Sequence, residues 1–140
     1  MSYKEKQIWL SMLSMLIVFG WYFKSVWPEL TQGANDIGFI AGFFVKAVLI
    51  VIVINIISHI VLYIINYNEG NREQDEREKL IELKAIRNAY YVLVCGIVWS
   101  GAIMLITQSV LMVANIVLFF FILSELTNYL SQLILLRSGY

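Results

Sequence analysis

Three ionisable side chains lie inside otherwise apolar runs of this sequence: Lys46, His59 and Glu125. A carboxyl, an imidazole or an ammonium group can donate or accept a proton, so acid–base chemistry is open to all three. In an apolar setting each must be neutral, paired or in contact with water, because an isolated buried charge is costly. Lys46 can extend along its own helix to a surface. Glu125 cannot, since its side chain is short and its run is long on both sides, which makes it the leading candidate.

Amide side chains extend these positions into two polar stripes. Asn55 and His59 are four residues apart, and Glu125, Asn128 and Gln132 follow an i, i+3, i+7 spacing. In a helix each set therefore shares one face. Such stripes also hold apolar helices together, at about 0.6 kcal/mol for each interhelical hydrogen bond in a membrane. Packing accounts for the three amide residues, whereas His59 fits packing and function equally well.

Motifs for catalysis or metal binding do not occur in the sequence. It has no CxxC, HExxH or Gly-x-Ser-x-Gly pattern and no phosphate-binding glycine loop. Cys95 is the single cysteine and has no Cys or His close by in sequence, so it is expected to be a small buried apolar residue. We predict no catalytic residue, no metal site and no cofactor. An intramembrane enzyme using His59 and Glu125 is the third of three functional readings.

The composition indicates that the chain belongs in a lipid bilayer. Hydrophobic residues make up 60% of its 140 residues and charged residues 14%, against about 25% charged in an ordinary soluble domain. A soluble fold of this size could not cover so much apolar surface. The length fits one domain, residues 1–140. The net charge of zero gives no electrostatic case for nucleic-acid binding.

Four apolar segments are long enough to cross a bilayer as helices, for which about 20 residues suffice. They are predicted at about residues 8–27, 37–65, 89–107 and 110–136, with a polar segment at 66–88. Pro28 is expected to end the first segment. Helices are the default, because an open sheet would leave backbone groups unpaired in lipid. The predicted fold is an all-α, integral membrane four-helix bundle.

The basic residues predict the orientation of this bundle. Most of them flank the first span on its N-terminal side, lie in the segment 66–88 or follow the fourth span, and Lys24 alone flanks the opposite side. The positive-inside rule then places both termini and the polar segment in the cytoplasm. We predict a multi-pass protein of the inner (plasma) membrane. Aromatic residues agree: Trp21, Tyr22 and Trp27 are expected at the outer interface.

The stretch 71–88, NREQDEREKLIELKAIRN, holds five basic and five acidic residues. Its apolar residues recur at helical spacing, so it is predicted to be a cytoplasmic helix that leads into the third span. Most of the charge is explained as a solvated surface. Asp75, Glu78 and Glu82 form a ridge at i, i+3 and i+7 that could receive Lys or Arg from a partner. We therefore predict a protein contact through residues 72–87.

The string Asp75-Glu76-Arg77-Glu78, followed by KLIELKAIRNAYYVL, resembles a signature in a group of uncharacterised small prokaryotic predicted membrane proteins. Those proteins have four predicted spans and a similar Asp-Glu-Arg-acidic stretch before the third. The resemblance covers about residues 72–94 and the overall architecture. It implies a membrane-embedded four-helix protein and brings no catalytic assignment with it.

The leading functional reading is a non-enzymatic sensor, regulatory or assembly protein that acts through its charged cytoplasmic helix. The alternative is a small proton-coupled transporter or channel using Glu125. Such exporters work as dimers, but they place the key Glu in the first helix rather than the fourth. Two small-residue patterns, Gly38-x-x-x-Gly42 and Gly96-x-x-x-Ser100, permit close helix approach within the bundle or in a homodimer.

Overall fold

The computed structural model of the chain describes residues 2–32, 36–67, 75–107 and 109–138. Within these residues it forms four helices and no strand: α1 (Tyr3–Gln32), α2 (Ile37–Ile65), α3 (Glu76–Thr107) and α4 (Val110–Arg137). Each helix is long and apolar enough to cross a membrane. The predicted all-α class with four candidate spans is confirmed. Residues 72–74 of the predicted partner segment lie outside the described residues.

Helix α1 does not end before Pro28 as the sequence suggested. It continues through this proline to Gln32. A proline removes one backbone hydrogen bond, to the carbonyl four residues earlier, and here it lies in the last turns, where little helix remains to be disturbed. The Thr31 hydroxyl donates to the Trp27 and Pro28 carbonyls, each at 3.1 Å, and so supports the end of the helix.

Helix α3 joins the charged stretch to the third apolar segment. It runs unbroken from Glu76 to Thr107, so the predicted continuity of the charged helix with the third span is confirmed. Acidic residues occupy its first turn, where they suit the positive end of the helix dipole. Ile81, Ala85 and Ala89 are buried at the spacing of one helical face. The charged end of α3 therefore packs against the rest of the protein instead of projecting freely.

Helices α1 and α4 form the centre of the bundle. α1 packs against both α2 and α4, and α3 packs along α4, whereas α2 and α3 scarcely contact each other among the described residues. The larger buried cluster comprises Val18, Phe19, Tyr22, Val26, Ile40, Ala47 and Ile122. A second cluster at the other end comprises Ile8, Met12 and Leu133. The bundle is thus open between α2 and α3.

Helices α3 and α4 are the most extensively packed pair, and a glycine allows their backbones to approach closely. A Cβ added at Gly96 would collide with the Cβ and ring of Phe120. Ser100, one turn on, is 2% exposed, and its hydroxyl donates to the Gly96 carbonyl at 2.7 Å. The Gly96-x-x-x-Ser100 pattern therefore acts within the chain. Around Gly42 there is open space, so the homodimer remains a prediction.

Helix α2 is the most apolar helix and also the least buried. Only Ile40 and Ala47 are buried in its 29 residues. Large aliphatic side chains such as Leu49, Ile57 and Ile64 are exposed around it. A helix that is apolar on all sides suits a lipid environment rather than water.

Candidate functional site

The polar stripe of α2 packs on α1, where two serines receive it. The Asn55 Nδ2 donates to the Ser14 hydroxyl at 3.0 Å and to the Val51 carbonyl at 2.9 Å. The His59 Nε2 lies 3.1 Å from the Ser11 hydroxyl. Ser11 and Ser14 are both buried. Asn55 and His59 thus lie on one face of α2, as their spacing predicted. Ser11 and Ser14 were not predicted, although their spacing of three residues places them on one face of α1.

The stripe of α4 also lies close to α1. Tyr129 packs against the buried cluster that includes Ile8 and Met12 of α1. Glu125 precedes Tyr129 by one turn and so shares its face of α4. Both predicted stripes, one on α2 and one on α4, therefore lie on faces that pack against α1. Neither Ser11 nor Tyr129 was predicted.

We call these residues the interior polar cluster: Ser11, Ser14, Asn55, His59, Glu125 and Tyr129. Glu125 is partly buried and forms no hydrogen bond or ion pair with any residue that the structure describes. The cluster combines an imidazole, a carboxyl and three hydroxyl groups, all of which can pass protons.

Asn128 and Gln132 contribute to packing within α4. The Gln132 Nε2 donates to the Asn128 Oδ1 at 3.0 Å, and Gln132 is buried. Next to them on α4, the Ser131 hydroxyl accepts a hydrogen bond from the Asn88 Nδ2 of α3 at 3.4 Å. These contacts are of the kind that the packing interpretation of the amides predicts.

Lys46 stands apart from the interior polar cluster. Its side chain is exposed, and its Nζ lies 5.6 Å from the centre of the Phe43 ring. Phe43 is one turn nearer the start of α2, so Lys46 extends along its own helix as the sequence allowed. It forms no ion pair with Glu125. A cation over an aromatic face is stabilised by the ring quadrupole.

The first turn of α1 is joined to all three other helices by polar contacts. The Lys4 Nζ lies 3.7 Å from a Glu82 carboxylate oxygen of α3. The Arg137 Nε of α4 donates to Glu5 at 3.2 Å.

The third contact of this turn runs to the end of α2, where the Lys6 Nζ donates to the Asn66 Oδ1 at 2.9 Å. We call these three contacts the N-terminal clasp. They gather charged groups from α1, α3 and α4 at one end of the bundle.

One residue of the predicted carboxylate ridge already has an ion pair within the chain. Glu82 is already paired with Lys4, and the Lys4 Nζ is fully buried without a hydrogen bond. Asp75 is exposed and Glu78 is half-buried, and neither forms an ion pair among the described residues. Within the part of the chain that the structure describes, two of the three ridge carboxylates thus have no ion pair, and the third is paired with a cation of its own chain.

Beside the ridge, α3 exposes large apolar side chains. Leu80 is 58% exposed and Leu83 is 63% exposed, with Ile86 and Tyr90 also exposed further along. These residues lie on the side of α3 opposite to its buried Ile81 and Ala85. The end of α3 thus presents acidic and apolar groups together.

A buried polar pair in the other half of the bundle was not predicted. The Tyr22 hydroxyl donates to the Asn115 Oδ1 at 2.7 Å, and the Asn115 Nδ2 donates to the Leu111 carbonyl at 2.9 Å. Tyr22 is 1% exposed, so its hydroxyl is bonded inside the bundle, whereas Trp21 and Trp27 are exposed. The position of these three residues at the outer interface stays a prediction.

Two apolar cavities flank the Tyr22–Asn115 bond. One of about 520 Å³ lies between α1 and α4, against Phe23, Trp27 and Phe119. The other, of about 440 Å³, is lined by residues of all four helices. Both are almost wholly apolar apart from the buried pair itself, so they offer space without reactive groups.

Groups suited to a metal ion do not come together in the part of the chain that the structure describes, where no three His, Cys, Asp or Glu side chains form a cluster. Cys95 is exposed on α3, so the expectation that it is buried is wrong. The polar groups that could carry chemistry are therefore those of the interior polar cluster and of the charged end of α3. No protein-family model, curated protein or solved structure matches the chain, and the resemblance noted for residues 72–94 stays a prediction.

Proposed function

We propose that this chain is a small multi-pass protein of the inner membrane, with both termini in the cytoplasm. We propose further that it is a non-enzymatic sensor, regulatory or assembly protein, and that it acts through the charged end of α3. The observation that carries this proposal is a pair of carboxylates, Asp75 and Glu78, that form no ion pair among the described residues and lie beside the exposed Leu80 and Leu83. Exposed apolar side chains rimmed by charges are typical of a surface that binds a partner.

The charges favour a basic partner. Asp75, Glu76 and Glu78 lie within four residues at the start of α3 and form no ion pair among the described residues. A partner that offers Lys or Arg beside apolar side chains would match both features of this surface. Complementary charges of this kind mainly set specificity and association rate.

The docking role predicts a defined loss when the two free carboxylates are neutralised. A photo-crosslinking residue at Leu83 should capture a cytoplasmic protein, and the combination of Asp75→Asn with Glu78→Gln should reduce the captured amount by about 2-fold to 30-fold. Two exposed ion pairs, each worth about 0.2–1 kcal/mol, account for this range. Crosslinking followed by mass spectrometry measures it.

Two matched variants separate docking from internal structure. Glu29→Gln removes a carboxylate near the opposite end of α1 and should leave capture unchanged. Glu82→Gln breaks the pair with Lys4 and should lower stability more than capture. Full capture by the Asp75→Asn, Glu78→Gln variant would show that this end of α3 is only a solvated surface.

The orientation gives a separate prediction. Lys4, Lys6 and Arg137 meet at the clasp end, and a basic end is expected to face the cytoplasm. In a Cys95→Ser background, Gln32→Cys should react with an impermeant maleimide added to intact spheroplasts. Glu76→Cys should react only after the cells are opened. Labelling of both from the same side would contradict the proposed topology.

A further inference from the structure

The cavity of about 440 Å³ has a small polar area in its wall, whereas the wall of the cavity between α1 and α4 is apolar throughout. Tyr22 and Asn115 are the polar side chains of this wall. We call the cavity the lateral cleft, because it lies between α2 and α4 and its lining residues Ala41 and Ala114 are exposed. We propose that the lateral cleft binds one acyl chain of a membrane phospholipid, whose ester carbonyl accepts a hydrogen bond from the Asn115 amide.

Asn115 has one hydrogen-bond donor left for such a ligand. An amide side chain has two N–H hydrogens, and the Asn115 Nδ2 uses one of them for the Leu111 carbonyl at 2.9 Å. The Nδ2 makes no second bond to any residue that the structure describes, while the Oδ1 accepts from the Tyr22 hydroxyl. Asn115 is 6% exposed, so the remaining N–H lies among apolar groups, where an unpaired donor is costly. A ligand oxygen in the cleft would pair it.

The lateral cleft is long and narrow. Its lining along α4 extends from Leu111 to Phe121, a length of about 15 Å at the rise of a helix. Over this length its volume corresponds to a mean cross-section of about 30 Å². Away from Tyr22 and Asn115, its wall consists of apolar side chains such as Phe44 and Leu93. One extended hydrocarbon chain fits this space, whereas a second helix, about 10–12 Å wide, does not.

The depth of Asn115 in a bilayer matches the depth of an ester carbonyl. α4 has 28 residues and is therefore about 42 Å long, whereas the hydrocarbon core of a bilayer is about 30 Å thick. A centred helix leaves about 6 Å at each end among the headgroups. Asn115 lies about 7 Å along α4 from Val110. Its amide is thus level with the boundary between headgroups and acyl chains, where phospholipids carry their ester groups.

A lipid chain can enter the lateral cleft from the side. α2 and α3 scarcely contact each other among the described residues, and Ile37 and Phe44 of the lining are exposed beside the opening. No charged side chain that the structure describes lines the cleft. A chain that moves in from the hydrocarbon region therefore crosses no polar barrier.

This inference rests on the proposed location in a membrane and not on the docking role of α3. Cysteine labelling at Gln32 and Glu76 tests the location, and partner capture at α3 tests the docking role. The measurements below read bound lipid alone. Lipid binding can therefore fail while the other two proposals stand.

The site is tested by titrating detergent-solubilised protein with dioleoyl phosphatidylethanolamine and counting bound lipids by native mass spectrometry. The wild type should retain one lipid per chain. Ala114→Phe and Ala41→Phe each place a ring in the cleft and should weaken binding about tenfold or more, since a filled cleft has no room for the chain. Gly20→Leu adds a side chain to the other cavity, where no atom lies within 4 Å of a new Cβ, and should bind as the wild type does. Absence of bound lipid from the wild type overturns the proposal, as does unchanged binding by both cleft variants, each folded by its unfolding transition.

The hydrogen bond is tested with the dialkyl ether analogue of the same lipid, which has the same headgroup and chain length but no carbonyl. The wild type should bind the ester lipid about 2-fold to 12-fold more tightly, the range for one neutral hydrogen bond. Asn115→Leu should bind both lipids equally. Gln132→Leu, which removes a buried amide at the other end of α4, should keep the preference. Equal affinity of the wild type for the two lipids overturns the proposal, whether or not Asn115→Leu folds.

Discussion

Replacing Gly96 by alanine is expected to destabilise the protein by about 1–3 kcal/mol, the range for overpacking a close contact. The added methyl group would collide with the Phe120 Cβ, which is fixed to the backbone and cannot rotate away. α3 and α4 would have to separate along the closest contact of the bundle. Unfolding in increasing SDS, followed by circular dichroism, measures the change in the free energy of unfolding.

Gly101 provides a matched control in the same helix. It has no atom within 4 Å of the position of a Cβ, so Gly101→Ala adds a methyl group without a clash. Alanine is the better helix former by about 0.5–1 kcal/mol, and this variant should be as stable as the wild type or slightly more so. Equal destabilisation by both alanines would mean that the close α3–α4 contact is not formed.

The second large effect is expected at the Tyr22–Asn115 hydrogen bond. Tyr22→Phe leaves the Asn115 Oδ1 buried without its donor, which typically costs about 1–3 kcal/mol. Asn115→Leu leaves the Tyr22 hydroxyl unpaired in the same way. The double variant should recover much of the loss, because removing both partners is less costly than leaving one unsatisfied. The same SDS unfolding measurement, made on the wild type, both single variants and the double variant, completes a double-mutant cycle.

The interaction energy from this cycle tests whether Tyr22 and Asn115 form a hydrogen bond. A hydrogen-bonded pair gives non-additive changes, whereas independent sites add within about 0.3–0.5 kcal/mol. Tyr91→Phe, at an exposed tyrosine of α3, should have almost no effect and shows what loss of a phenol hydroxyl alone does. Additive effects of Tyr22→Phe and Asn115→Leu would show that the two side chains do not bond.

Hydrophobic periodicity and length were sufficient to predict four helices and some of their shared faces, although not the end of α1. The continuity of α3, the shared face of Asn55 and His59, and the close approach at Gly96 all follow from spacing within one segment. Each of these features depends on residues less than about two turns apart or on one uninterrupted run, which is the information that a periodic pattern contains.

The partners of those faces could not be predicted, because spacing within a helix does not say which helix lies opposite. Ser11 meets His59, and Tyr129 packs near Ile8 and Met12, only because α1 lies between α2 and α4. Tyr22 was assigned to an interface by residue type, yet Asn115, 93 residues later, buries its hydroxyl. Glu82 was expected to meet a foreign cation, and Lys4 of the same chain occupies that position.

The N-terminal clasp has a consequence for the order in which the protein is made. The first turn of α1 leaves the ribosome early, but Lys6 meets Asn66 60 residues later and Glu5 meets Arg137 132 residues later. The clasp can close only after the last turn of α4 has been translated. Until then the Glu5 carboxylate lacks its Arg137 partner and stays in contact with water. Complete closure of the clasp thus coincides with completion of the fourth helix, and a nascent chain halted before Arg137 would leave Glu5 without its cation.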